Sequence, residues 1–308
     1  MSSATAAFLF PGQGAQRVGM ATDLYAASPA ARAVFDEADD ALGERLSEVV
    51  FNGPAEALTL SHNAQPAILT ASVACLRAAE ERLGAAFPAP AFAAGHSLGE
   101  YTALAAAGAL ALADAVRLVR RRGELMQAAS EAAPSGMAAV LGMALTEVEA
   151  VCAETGAQVA NVNSAEQVVI AARNEALRRA SALAEERGAR RVVPLDVAGA
   201  FHSDVMRPAQ QALADELRAV PISAARYPVV ANATASPMTQ PEEARAELAE
   251  QVCAPVLWQA SMEFMAAQGA ARFVEFGPGK TLTGLARRIV PGAATANVGG
   301  LDEARALA

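Results

Sequence analysis

Gly95-His96-Ser97-Leu98-Gly99 fits the pattern G-x-S-x-G, in which a serine occupies a tight strand-to-helix turn that only small neighbours permit. On such an elbow the Ser97 hydroxyl projects from a sheet edge. The next backbone N–H, that of Leu98, and the positive end of a helix can then stabilise an oxyanion. The same pattern arises by chance in chains rich in alanine and glycine, where it marks an ordinary turn. Here a strand pattern precedes it and a helical run, Glu100–Ala107, follows. That context favours a nucleophile.

A serine nucleophile needs a base, and histidine is the usual one. The chain contains three histidines. His96 adjoins Ser97, so its side chain leaves the turn in another direction. His62 lies in a polar segment with no strand-end context. His202 follows the strand pattern Arg191–Val197 through Gly199-Ala200-Phe201 and precedes a helix start near Ser203-Asp204. Elimination makes His202 the candidate base.

Arg122 stands out by periodicity. Over Leu112–Met126 the residues Leu112, Ala115, Val116, Leu118, Val119, Leu125 and Met126 form one apolar stripe, with Arg117, Arg120, Arg121 and Glu124 opposite. Arg122 falls inside the stripe. An inward guanidinium is costly unless an anion meets it. That anion is either a buried Asp or Glu or a substrate carboxylate, which arginine binds with a two-point fork. Gln13, in Phe10-Pro11-Gly12-Gln13-Gly14, lies in a turn that reads as a phosphate loop or as a second oxyanion donor. The lysine and spacing of a phosphate loop are missing there, which favours the oxyanion donor. Gly277-Pro278-Gly279-Lys280 is a weaker phosphate-like signal, or a piece of cleft wall.

These residues need elements to hold them. Ala6–Phe10, Ala91–Ala94 and Phe273–Phe276 each read as an apolar strand followed by a Gly-rich turn and a helix. Such junctions line up at the carboxyl edge of a parallel sheet, where α/β proteins place their sites. The middle of the chain reads instead as β-α-β-β-α-β. The expected architecture is therefore α/β. A large parallel-sheet, α/β-hydrolase-like core spans 1–133 and 199–308, and a ferredoxin-like βαββαβ subdomain is inserted at 134–198. A cleft between the two is a natural ligand site.

Composition narrows the function classes. Apolar residues are 53% of the chain and charged residues 19%, so a large core is expected and disorder is not. The run Ala103–Ala113 is too short to span a membrane and reads as a buried helix. No basic, apolar leader is evident. Cys75, Cys152 and Cys253 lie far apart, as free thiols do in a reducing cytoplasm, and no metal-ligand spacing is present. The net charge of −9 argues against nucleic acid.

Four segments carry a family resemblance. They are Phe8-Leu9-Phe10-Pro11-Gly12-Gln13-Gly14-Ala15-Gln16, Gly95-His96-Ser97-Leu98-Gly99-Glu100-Tyr101, Gly199-Ala200-Phe201-His202-Ser203 and Glu275-Phe276-Gly277-Pro278-Gly279-Lys280. In this order they resemble the malonyl-CoA:acyl carrier protein transacylases, over residues 8 to about 290. The resemblance implies that Ser97 is acylated, that His202 is its base and that Arg122 of the Arg122-Gly123 pair binds the malonyl carboxylate. It implies an oxyanion hole from Gln13 and the Leu98 N–H, and it places Gln251, before Pro255-Val256-Leu257-Trp258, beside the histidine. A backbone carbonyl there orients the histidine in that family.

Phe201 corresponds to an aromatic that accompanies malonyl over methylmalonyl preference in related acyltransferases. The implied reaction is ping-pong transfer from malonyl-CoA to the phosphopantetheine thiol of an acyl carrier protein, in fatty acid or related synthesis, with no cofactor of the enzyme's own. A cytoplasmic monomer is expected. An acidic carrier would dock on arginines, for which Arg190, Arg191, Arg287 and Arg288 are candidates by position, unless they are ordinary solvated charge. A serine hydrolase or thioesterase would use the same elbow without Arg122. A non-catalytic carrier-binding module would be expected to lack the serine, histidine or arginine.

Overall fold

The computed structural model describes residues 5–307. Among these residues ten strands form two sheets. The larger has the order β10-β9-β1-β2-β7-β8, with β1 Ala6–Phe10, β2 Pro90–Gly95, β7 Val229–Val230, β8 Pro237–Met238, β9 Arg272–Phe276 and β10 Ala294–Val298. All its pairings are parallel except β7 with β8. Strand β1 is central and buried along its whole length, as a parallel strand covered on both faces must be. Alternation divides its side chains between two cores. Phe8 and Phe10 pack with the helices 61–83 and 112–132, while Ala7 and Leu9 pack with Trp258, Met262 and Leu285.

The smaller sheet has the order β4-β5-β3-β6 and is antiparallel throughout. Its strands are β3 Ser135–Leu141, β4 Gln158–Ser164, β5 Gln167–Arg173 and β6 Arg191–Pro194. Helices Leu145–Thr155 and Asn174–Glu186 cover one face, around Val140, Val148, Val151, Ile170 and Ala180. Met137, Asn161, Asn163, Gln167 and Val169 line a cleft on the other side. Strand β4 is also tied to the larger body, because Val256 and β4 exchange backbone hydrogen bonds of 2.9 Å.

The apolar run 103–113 is not one helix. The elbow helix ends at Ala106, a turn with Gly108 at φ 77° follows, and the next helix starts at Leu112. Ala103–Ala107, Ala109 and Leu110 are buried, whereas Gly108 and Ala111 are exposed and Leu112 and Ala113 half-buried, so the apolar run joins the ends of two helices through a turn. Among the described residues no helix is long and apolar enough to cross a membrane.

Candidate active site

Ser97 sits between β2 and the helix Leu98–Ala106, at the carboxyl end of the parallel sheet. Its backbone has φ 52° and ψ −107°, a conformation that costs of order 1–3 kcal/mol for a residue with a Cβ. Asn232, just beyond β7, holds it there. Its Oδ1 accepts the Ser97 N–H at 2.7 Å and its Nδ2 donates to the Gly95 carbonyl at 2.7 Å. The flanking glycines are required by space. A Cβ on Gly95 would lie 1.9 Å from the Gly99 backbone, and one on Gly99 would lie 2.1 Å from the Phe10 carbonyl.

His202 Nε2 lies 2.7 Å from Ser97 Oγ. His202 is itself on a left-handed turn, with φ 57°, fixed by Ser203 Oγ donating to the Ala200 carbonyl at 2.6 Å. Its Nδ1 faces the carbonyls of Gln251 at 2.9 Å and Ala254 at 3.1 Å. Two acceptors there require the proton on Nδ1, which leaves the Nε2 lone pair for Ser97. Burial, then the Arg122 charge, lowers the His202 pKa to about 3. The resting imidazole is therefore neutral and able to take a proton.

Arg122 is 1% exposed. Its NH2 group donates to Ser97 Oγ at 3.1 Å and to Gln251 Oε1 at 2.9 Å, and NH1 donates to Gln65 Oε1 at 2.9 Å. All three acceptors are neutral, and Nε has no partner among the described residues. The Tyr101 ring lies 5.3 Å from the guanidinium carbon. Among the described residues no carboxylate pairs with Arg122, so a buried acid there is not what meets its charge. Gly123 lets this helix approach its neighbour closely, since a Cβ there would be 2.5 Å from the Ser61 carbonyl.

The Leu98 N–H, at the start of the elbow helix, and the Gln13 N–H both lack a partner among the described residues. The Gln13 side chain instead turns to Ser61 Oγ at 3.1 Å. The backbone N–H of Gln13 is thus a free donor beside the cavity.

Ser97, His202, Arg122, Gln13 and Phe201 line one cavity of about 730 Å³, between the two sheets. Leu98 and Gln251 support it from behind, fully buried. His96 turns away from Ser97, as expected of it. Its Nε2 lies 2.9 Å from Asn163 Oδ1 on β4, and its ring is 5.6 Å from that of Trp258. The four remaining arginines do not line the cavity. Arg190 and Arg191 are exposed at the start of β6, with Arg190 3.5 Å from Glu166. Arg287 and Arg288 are exposed on the helix Thr281–Ile289, where Arg287 donates to Thr295 Oγ1 at 2.9 Å. Lys280 Nζ lies 3.7 Å from Glu303, and the Gly277–Lys280 turn is absent from the cavity wall. No group of three His, Cys, Asp or Glu among the described residues is arranged to hold a metal.

Three site residues were not found from sequence. Gln65 is fully buried in the helix Ser61–Leu83 among apolar neighbours, the same signal that singled out Arg122. Asn232 follows a strand of two residues, too short to be read. Ala254 contributes only a carbonyl, to which sequence is silent.

Residues 7–299 match the family model of the acyl transferase domain. The malonyl CoA-acyl carrier protein transacylase of Bacillus subtilis is 46% identical over 288 residues, covering 92% of this chain and 90% of that protein. A solved acyl-carrier-protein-S-malonyltransferase from Bartonella henselae superposes with a TM-score of 0.94 at 42% identity, covering 98% of both chains. A malonyl-transacylase solved in complex with a type II PKS acyl-carrier protein gives a TM-score of 0.94 at 38% identity, again over 98% of both chains. A paired serine and histidine on matching turns, in a chain this similar throughout, fits one assignment: the chain is an acyltransferase of the acyl transferase domain family and belongs with the malonyl CoA-acyl carrier protein transacylases.

Proposed function

We propose that this chain moves a malonyl group from malonyl-CoA to the phosphopantetheine thiol of an acyl carrier protein, through an ester on Ser97. One observation carries the choice of acyl group. A buried guanidinium lies 3.1 Å from Ser97 Oγ with no carboxylate partner among the described residues. A donor whose acyl chain ends in a carboxylate supplies the missing charge. A thioesterase for uncharged acyl groups would have no use for it. The names of the relatives support the same donor and acceptor.

Ser97 Oγ attacks the thioester carbonyl carbon as its proton passes to His202 Nε2. The carbonyl oxygen gains the charge and faces the Leu98 and Gln13 N–H groups. The C–S bond then breaks, and His202 gives its proton to the coenzyme A sulfur. In the second half the carrier thiol gives its proton to His202 and attacks the malonyl ester. The Ser97 oxygen leaves and takes the proton back. The malonyl carboxylate also assists the base. Arg122 lowers the His202 pKa, and a carboxylate on Arg122 offsets that effect, so the base strengthens when the donor binds.

We read the large body as hydrolase-like because of its elbow, and the 134–198 unit as ferredoxin-like because of its βαββαβ order and strand neighbours. The free thiols of Cys75, Cys152 and Cys253 suit a reducing cytoplasm. Initial rates with both substrates varied test the mechanism. Parallel double-reciprocal lines are expected of an acyl-enzyme, and lines that intersect would contradict it.

A further inference from the structure

Glu100 is fully buried on the elbow helix, three residues after Ser97. Its Oε2 lies 2.5 Å from Gln251 Nε2. The same Nε2 donates to the Ser97 carbonyl at 2.9 Å, and on its other side Gln251 Oε1 accepts from Arg122 at 2.9 Å. A side-chain amide can be turned over about its last bond, and only its partners decide which way it points. Turned over, Gln251 would set its NH2 against the guanidinium and its oxygen against two acceptors.

We propose that Glu100 is a positioning residue for donor selection, which holds the Gln251 amide so that its oxygen faces Arg122. This rests on Arg122 being the site of the malonyl carboxylate. The Ser97 carbonyl, which also accepts the Glu100 N–H at 3.0 Å, takes only one of the two N–H groups of that amide. Glu100 Oε2 therefore supplies the second hydrogen-bond acceptor of the amide. Gln251 also keeps the two groups apart. It stands between Glu100 and Arg122, so the guanidinium is oriented by a neutral oxygen and its charge is left for the substrate. Burial, followed by the Glu247 charge, pushes the Glu100 pKa well above the ordinary carboxylate range. An acceptor at Oε2 is what the geometry uses, and a charge there is not.

Two variants of similar size separate acceptor from volume. Glu100→Gln keeps an acceptor and Glu100→Met does not. The measurement is the single-turnover rate of acyl loading from malonyl-CoA and from acetyl-CoA, with Arg122→Ala alongside. Glu100→Met should lower the malonyl-to-acetyl ratio by roughly tenfold, the size of one lost hydrogen bond within a charged network. Acetyl loading should fall less than malonyl loading, and Glu100→Gln should stay within about threefold of the wild-type ratio.

A folded Glu100→Met with the wild-type ratio, or with both donors slowed in parallel, overturns the proposal. If that variant does not fold, Glu100→Gln decides. A kept ratio supports the proposal and a lost one overturns it. A collapsed ratio in Arg122→Ala together with an unchanged one in Glu100→Met removes only the role of Glu100. An unchanged ratio in Arg122→Ala removes the carboxylate site itself.

Discussion

Two regions of the cleft hold their residues by different means. At the sheet edge Ser97 and His202 occupy left-handed turns, with φ 52° and 57°, pinned by backbone carbonyls and by Asn232. In the helical layer Arg122 sits within a regular helix, and two side-chain amides, Gln65 and Gln251, aim it. Backbone turns fix atoms that must meet within a hydrogen-bond length. Side-chain amides fix a charge and leave it unneutralised. The comparison predicts that the chemistry and the choice of acyl group can be damaged separately.

The largest effects belong to the sheet edge. Ser97→Ala should abolish the covalent adduct. His202→Ala should slow its formation by roughly 10²–10⁴-fold, the usual loss for a general base, whichever acyl-CoA is offered. Stopped-flow or quenched loading assays with malonyl- and acetyl-CoA read this directly. A donor-dependent loss in His202→Ala would blur the two regions.

Arg122→Ala should act the other way. Malonyl loading should fall by an amount corresponding to about 2–5 kcal/mol, while activity with acetyl-CoA rises relative to it. Arg122→Lys should rescue only in part, because an ammonium lacks the planar fork. A lower melting temperature with parallel loss for every donor would instead make Arg122 a structural residue.

Phe201, 7% exposed beside His202, sharpens the boundary between the regions. Wild type should prefer malonyl- over methylmalonyl-CoA by about 10–200-fold, the range for one methyl group. Phe201→Ala should narrow that gap. Equal specificity constants in wild type would remove the role.

Charge reversal at Arg190 and Arg191, or at Arg287 and Arg288, should raise KM for the carrier protein by a few fold, in a salt-dependent way. No change, with a patch elsewhere raising KM, would move the docking surface.

The smallest expected change is with pH. A base works when deprotonated, and burial lowers the His202 pKa to about 3. The specificity constant for malonyl-CoA should therefore stay nearly flat from about pH 7 to about pH 5.5. It should fall only as the pH approaches the lowered value. A limb near the ordinary histidine pKa would contradict this.

Much of the site was legible because its residues break local rules. Ser97 needs glycines on both sides, Arg122 interrupts an apolar stripe, and His202 stands at a strand end. What remained hidden has no such signature. Asn232 reaches the elbow across 135 residues of sequence, and Ala254 offers only its carbonyl. Gln65 carried a readable signal, an amide in a buried helix, that passed unread. Apolar content alone misled at 103–113, where the ends of two helices and the turn between them share one apolar composition. Gln13 was singled out by position; its backbone N–H is a free donor there, which residue type does not reveal.

The central claim is that Ser97 carries the acyl group between the two substrates. Wild-type protein should be incubated with malonyl-CoA, digested and mapped by peptide mass, then treated with holo-carrier protein. A malonyl adduct on the Ser97 peptide should form and then move to the carrier. An adduct mapped to any other residue, or one discharged to water while the carrier stays unloaded, would contradict the account.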